Sequence, residues 1–429
     1  MRALTESSTL RNAKKLGSRP DAGSINEDKF PKNTQKFVFF CLVFIVLFPK
    51  AGVRSGEIPL YLSTFLFFTL TAILVLSRKQ KNYEILLVVN IVYLAGWLGI
   101  TYVRNDIFLL SNASRTAAIS WFLVSPIFWM AASNYRSILL SPKIIDIFFI
   151  ILTIYALCQY FFGLDFLRIN GLTIAYGDSY ATKNLAIFQN TTVVGLKAPS
   201  TYQSGNLFGQ IAALFFVWGI STQRFKTYKS KASKILIPLT YLVAITISLS
   251  RTALLAVLLG IFVHVVSSKG KSILRYLFVI IIFMYFVSSI SLLGQRFSLD
   301  NLFDSSGRTE SWSIALSSFT VGDWFFGRSS TGLGSTKLLY LEGLFGMIAQ
   351  IGIVGLCLLF FAWTKSGLLK WKAFSATFGF CLMIDSTFIN PTFMWIPGVC
   401  ILLSGGAQGT RHILDKTRKK IPNATKTTV

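Results

Sequence analysis

An all-α, polytopic integral membrane protein with about twelve transmembrane helices is the fold class this sequence predicts, on three observations. Hydrophobic residues make up 53% of the 429 and charged residues 14%, where globular domains carry about 25% charged. Mean hydropathy is +0.59. Several apolar runs exceed 16 residues, approaching the roughly 30 Å hydrocarbon core at about 1.5 Å per helical residue. Such continuous runs lack the alternation of a transmembrane barrel strand, and helices are then the remaining way to satisfy the backbone in lipid.

Residues 1–36 carry eight basic and four acidic side chains and little that is apolar. The stretch is too long for a signal-peptide n-region and leads into an uncleaved span, so it reads as a disordered basic cytosolic tail. Apolar runs then predict spans over 37–53, 57–77, 83–103, 116–133, 144–163, 204–221, 235–250, 252–267, 276–294, 338–363, 373–389 and 392–405. Together 37–405 form the transmembrane domain, and 406–429 form a second basic tail.

The distribution of Lys and Arg orients these spans and explains the formal charge of +25. With the N-terminus in the cytosol, the N-tail supplies eight basic residues and 78–82 supplies three. The segments 134–143, 222–234, 268–275 and 364–372 add two, five, three and three, and the C-tail adds six. Thirty of the 42 basic residues therefore face one side, with both termini cytosolic. The charge sets orientation and contact with anionic lipid, which argues against a nucleic-acid partner. Parity also divides 235–267: a single helix of that length would be about 50 Å long, and basic loops flank it on both sides. A tight hairpin with Ser250-Arg251-Thr252 at an outward-facing apex satisfies both constraints.

Two exterior loops are long, 164–203 and 295–337, so the working surface is expected outside. Arg251 stands at the hairpin apex, where Ser, Gly or Asn would close the turn without bringing a charge to the membrane surface. The second loop holds Arg296, Arg308, Arg328 and Lys337 beside Asp300, Asp304, Glu310 and Asp323, so ion pairing competes with a binding role. Arg308 follows Gly307 and opens an expected amphipathic helix, RTESWSIALSSF, where an Arg fork beside free N–H groups suits a phosphate-like anion. The glycine-rich FGRSSTGLG lacks the GK[ST] of a nucleotide-binding loop and reads as a tight exterior turn. Four acids could serve as general bases: Glu310, Asp323, Glu342 near the outer end of its span, and Asp385 about one turn inside another. The two histidines, His264 and His412, fall on the cytosolic side, so an external base would be a carboxylate or water. The five cysteines all lie in apolar runs without metal spacing and read as packing residues.

These motifs resemble a family. SLSRTALLAVLLGIF resembles a hairpin of the O-antigen polymerase (Wzy-type) and O-antigen ligase superfamily, and APSTYQSGNLFGQIAAL looks like the segment entering the helix after its first long periplasmic loop. GRTESWSIAL with DWFFGRSSTGLG resembles the second long loop, and IAQIGIVGL the glycine-patterned helix after it, so the likeness covers roughly 198–356. It implies a GT-C-type glycosyltransferase of the bacterial inner membrane, acting on undecaprenyl-diphosphate-linked oligosaccharides. The diphosphate-holding arginines of the family carry over to Arg251 and Arg308. The ligase branch usually has a His before the glycine-patterned helix, where this chain has Leu341-Glu342-Gly343, and this favours the polymerase branch over the ligase alternative.

Transfer from a lipid diphosphate needs no nucleotide or metal cofactor if cations offset the leaving group. Arg251 and Arg308 would supply them, with Arg296, Arg328 and Asn206 as further substrate contacts, and Glu342, or Asp385 or Glu310, would take the hydroxyl proton. Tyr176, Tyr180, Tyr202, Trp312 and Trp324 could stack on sugars or anchor at the interface. A chain-length regulator is a further candidate partner, and a transporter or flippase of lipid-linked sugars is the alternative of another class.

Overall fold

The computed structural model describes residues 32–55, 58–76, 84–103, 124–133, 141–176, 189–190, 193–267, 317, 319–327, 343–385 and 390–404. Within them the chain is mostly helical. Helix α1 (Lys32–Leu42) runs into a π-helical turn (Val43–Leu47), and a short antiparallel hairpin follows, β1 (Gly52–Ser55) and β2 (Ile58–Tyr61). Next come α2 (Leu62–Leu76), α3 (Glu84–Val103), α4 (Val124–Ser133) and α5 (Lys143–Phe162). A second hairpin, β3 (Gln189–Asn190) and β4 (Val193–Leu196), leads to α6 (Gly205–Ser221), α7 (Lys231–Ile247) and α8 (Arg251–Ser267). The described chain closes with α9 (Val321–Phe326), α10 (Gly343–Lys365), α11 (Lys372–Ile384) and α12 (Pro391–Ser404).

Two of these helices, α5 and α10, are long and apolar enough to cross a membrane, and most of the others are apolar but shorter. Some predicted spans shrink because their first or last residues take other structure. The span over 57–77 starts as strand β2, and that over 37–53 ends as a helix at Leu47. The span over 276–294 lies outside the described residues. Two small hairpins also qualify the all-α expectation. In the first, Val53 faces Leu60 across the ladder, and Gly52 and Arg54 pair outward with Gly171 and Tyr176 of the first long loop.

Helix α6 lies at the centre. Its run GNLFGQIAALFFVWGIS is apolar on every face, and 14 of its 17 residues are buried. Contacts along α6 fix the directions of its neighbours. Gly205 meets Ser248 while Phe216 meets Tyr241, so α7 runs antiparallel to α6. Gly209 meets Ser250 while Val217 meets Gly260, so α8 runs parallel to it. The chain therefore reverses at 248–250 as the charge parity requires. The two arms splay, however, and each packs on α6 rather than on the other, so the hairpin is open rather than tight. Helix α11 runs antiparallel to α6, with Asp385 at Gln210. Helix α12 runs parallel, with Asn390 at Gln203 and Ser404 at Trp218.

Large apolar side chains also cover the outside of the bundle. Leu76, Phe65, Val92, Phe161, Ile235, Phe262 and Phe360 are all exposed.

Candidate functional site

One end of the bundle gathers the starts of α6, α8 and α12. Ser204 caps α6, its hydroxyl accepting from the Leu207 N–H at 3.2 Å. The SLSR motif divides its work between two helices. The Ser248 backbone N–H closes α7 onto Ala244, and the Ser250 hydroxyl accepts from the Ala253 N–H at 3.2 Å to open α8. Leu249 between them takes a left-handed φ of 50°, the bend that lets Arg251 become the first residue of α8. Asn390 caps α12, its side chain accepting from the Thr392 N–H at 3.1 Å.

Close approach at this end depends on missing side chains. A Cβ on Gly209 would stand 2.2 Å from the Ser248 hydroxyl, and one on Gly205 2.8 Å from both the Ser248 carbonyl and Lys197 Cβ. The glycines of QSGNLFGQ therefore let α6 touch the reversal, and Lys197 comes with them. Arg251 and Asn206 are half-buried here. Asp385 is buried at the end of α11, where its carboxylate accepts from Gln210 Nε2 at 2.7 Å. It ends the helix instead of lying a turn inside it, since Ile384 is the last helical residue.

Arg251, Asn206 and Asp385 thus belong to helix ends that meet. Gly343 packs on Met383, two residues before Asp385, where a Cβ would lie 2.1 Å from the Met383 carbonyl. Glu342 itself, with Arg296, Arg308, Glu310, Trp312 and Arg328, lies outside the described residues.

Tyr202 requires a correction. The ring is fully buried, lies 5.8 Å from Phe208, and its hydroxyl donates to the Val46 carbonyl at 2.6 Å. Thr201 donates to Leu47 at 2.7 Å, so both side chains satisfy last-turn carbonyls of the π-helix and pin the loop. In this position Tyr202 offers no open face to a sugar. Asp323 is likewise structural: it forms a capping box with Thr320 at the start of α9. Tyr176 is exposed on the first loop, and Trp324 packs edge-on to Phe319.

Three polar features here and below were not singled out from sequence. Lys197 precedes the APSTYQSG motif by one residue. Lys50, buried at 2% exposure, lies with Pro49 inside the first predicted span. At the opposite end Asp146 forms a buried ion pair with Arg224 at 2.8 Å and accepts from Tyr228 and Tyr241 at 2.5 and 2.7 Å. Arg224 also lies 4.3 Å above the Trp218 ring. The signal was present in α5, whose first turn carries an acid in an otherwise apolar helix.

No known family model matches this chain, and no curated protein is significantly similar to it.

Proposed function

We propose that the chain is a polytopic membrane glycosyltransferase that polymerises lipid-linked glycan repeat units. It moves a growing chain from undecaprenyl diphosphate to a hydroxyl of the next repeat unit on the non-cytosolic face. The observation that carries this reading is the meeting of three helix N-termini, those of α6, α8 and α12, around the end that bears Arg251. N-terminal N–H groups and helix dipoles favour an anion, and the Arg fork adds a full charge. The opposite end of the bundle carries the basic loops 222–234 and 364–372, which orient that end to the cytosol. Apolar side chains on the bundle's exterior, with α5 and α10 long enough to span, support a lipid surround.

In the reaction the acceptor hydroxyl oxygen bonds to the anomeric carbon, and the bond from that carbon to the diphosphate oxygen breaks. The electron pair leaves on the diphosphate, where Arg251 and the helix N-termini offset the charge. The hydroxyl proton passes to a carboxylate. Asp385 lies at this end within one hydrogen bond of α6, and Glu342 and Glu310 remain alternatives.

A second reading has one specific support. Helix α10 is broken at Gly352, whose φ of 63° and ψ of 178° are not helical, and discontinuous helices occur in transporters. The deciding experiment is a gel profile of surface glycan from a deletion strain beside its parent. A ladder collapsed to a single repeat supports polymerisation, and an unchanged ladder rejects it. Single repeats absent from the surface favour transport. Arg251→Ala is expected to lower polymer yield by about 100-fold or more at normal membrane abundance. Arg251→Lys should restore it only in part, because Lys lacks the bidentate fork. Parental ladders from a well-expressed Arg251→Ala strain would remove Arg251 from the site.

A further inference from the structure

Beyond its last residue, Phe162, helix α5 does not lead straight into the exterior loop, because the chain doubles back along it. Gly163 ends the helix at a φ of 99°, its N–H bonded to the Gln159 carbonyl. The Phe166 ring then stacks on Phe162 at 4.8 Å, and the Leu167 carbonyl lies 3.5 Å from the Tyr155 hydroxyl. Tyr155 precedes Phe162 by seven residues, about 10 Å along the axis. Even a tyrosine stretched along the axis leaves the Leu167 carbonyl no higher than the end of the helix. We infer that residues 161–169 form a membrane anchor: Phe161, Phe162, Leu167 and Ile169 enter the non-cytosolic leaflet, and Asp165, Arg168 and Asn170 stay among headgroups and water. The inference rests on the membrane reading of the chain given above and not on glycan transfer.

Continuity of surface is the first argument. Along α5, Ile147, Ile151, Ile154 and Phe161 are exposed at helical spacing, the face that meets lipid when α5 spans. The stack of Phe166 on Phe162 carries that face into the turn, where Leu167 is 63% and Ile169 53% exposed. A protein partner that covered Leu167 would have to cover the lipid-facing stripe with it. The second argument is polar satisfaction, because lipid admits a non-helical backbone only where its polar groups are paired. The N–H groups of Phe166, Arg168, Ile169, Gly171, Leu172 and Thr173 all find acceptors within 163–174. Charge is contained in the same way: Arg168 donates to Asp165 and to Asn170, each at 2.9 Å. The third argument is Leu167 itself. Its left-handed φ of 52° is costly for a leucine, yet its side chain gains no burial within the protein. Immersion in the leaflet supplies that apolar contact. The turn is also bonded to the first hairpin, since Gly52 donates to Gly171, Tyr176 to Gly52, and the Arg54 N–H to Tyr176. The anchor thus fixes the height of that hairpin against the membrane surface.

The test places the photoreactive residue benzoylphenylalanine at position 167 of the full-length chain, held in phosphatidylcholine nanodiscs and irradiated. The intact mass should rise by that of one phosphatidylcholine. Ile151, on the exposed face of α5, is replaced in the same way as the control for the membrane reading. Asn170 is the water-side control, where the lipid adduct should be about tenfold less abundant than at 167. All three side chains are exposed, so the reporter displaces no packing. An adduct at 151 without one at 167 overturns the anchor and leaves the spanning helix standing. No adduct at either position overturns the membrane reading and the anchor with it. Equal yields at 167 and 170 also overturn the anchor, since the turn would then have no immersed side. So does irradiation in cells that joins position 167 to a protein instead of lipid. Should position 167 not accept the reporter, position 169 decides in its place.

Discussion

At the scale of single residues, one end of the bundle is organised around a buried ion pair. Asp146 and Arg224 neutralise one another inside the protein, with two phenols completing the carboxylate's hydrogen bonds. Such a pair contributes modest net stability while intact, but removing one partner strands the other. Asp146→Ala should therefore cost about 3–5 kcal/mol in detergent unfolding, and Asp146→Ala with Arg224→Met should recover much of it. Equal instability in the single and double variants would deny the pairing this role. Tyr228, in the loop beyond α6, has its phenol pushed up from the ordinary value by burial and by the Asp146 carboxylate. The folded state thus favours the protonated phenol. Its contribution is intact below the unfolded pKa of about 10 and is lost as pH rises toward the folded value. Tyr228→Phe should make the alkaline fall in melting temperature shallower. At the other end Arg251 and Lys197 are half-buried.

Among the elements, α10 is the most unusual. Its helix breaks at Gly352, yet the released carbonyls are not abandoned: the Trp97 indole donates to Gln350 at 2.9 Å, and the Tyr93 hydroxyl donates to Ile351. Neighbouring side chains thus satisfy a helix break in an apolar surround. The break also seats α9, because a Cβ on Gly352 would lie 2.2 Å from the Phe325 carbonyl, and one on Gly327 2.4 Å from the Gln350 carbonyl. Gly352→Ala meets both a glycine-only backbone and this clash. The backbone strain alone should cost about 1–3 kcal/mol, read as a lower melting temperature and reduced membrane yield. Unchanged stability would mean that α10 can straighten without α9. Helix α6 shows the complementary device, with Gly205 and Gly209 bringing it onto the α7–α8 reversal.

For the whole molecule, antiparallel and parallel packing around α6 sorts the described helix ends into two sets. Arg251, Asp385, Lys50 and the β1–β2 hairpin belong to one, and Asp146, Arg224 and the loop after α6 belong to the other. If the first end is exterior, Asn170→Cys should react with a membrane-impermeant maleimide in intact cells, in a background without the native cysteines. Lys229→Cys should react only after lysis. Both positions are exposed, so access follows the side of the membrane rather than burial. The reverse labelling pattern would invert the topology and remove the extracytosolic site.

Periodicity and charge alone located most helices to within a few residues: 144–163 against Lys143–Phe162, and 204–221 against Gly205–Ser221. They also required a reversal near Arg251, because apolar length and basic loops are properties of the chain itself. The serine caps on either side of that reversal emerged only from the structure. Tertiary structure decided the rest. The burial of Tyr202 against Val46, the break in α10 and the meeting of Gln210 with Asp385 depend on residues 156, 253 and 175 positions apart. No local pattern encodes such pairings, because each exists only where packed helices bring a donor to a carbonyl or carboxylate that water cannot reach. Lys50 follows the same rule. In sequence it interrupts an apolar run, and only the packing of the surrounding chain buries it.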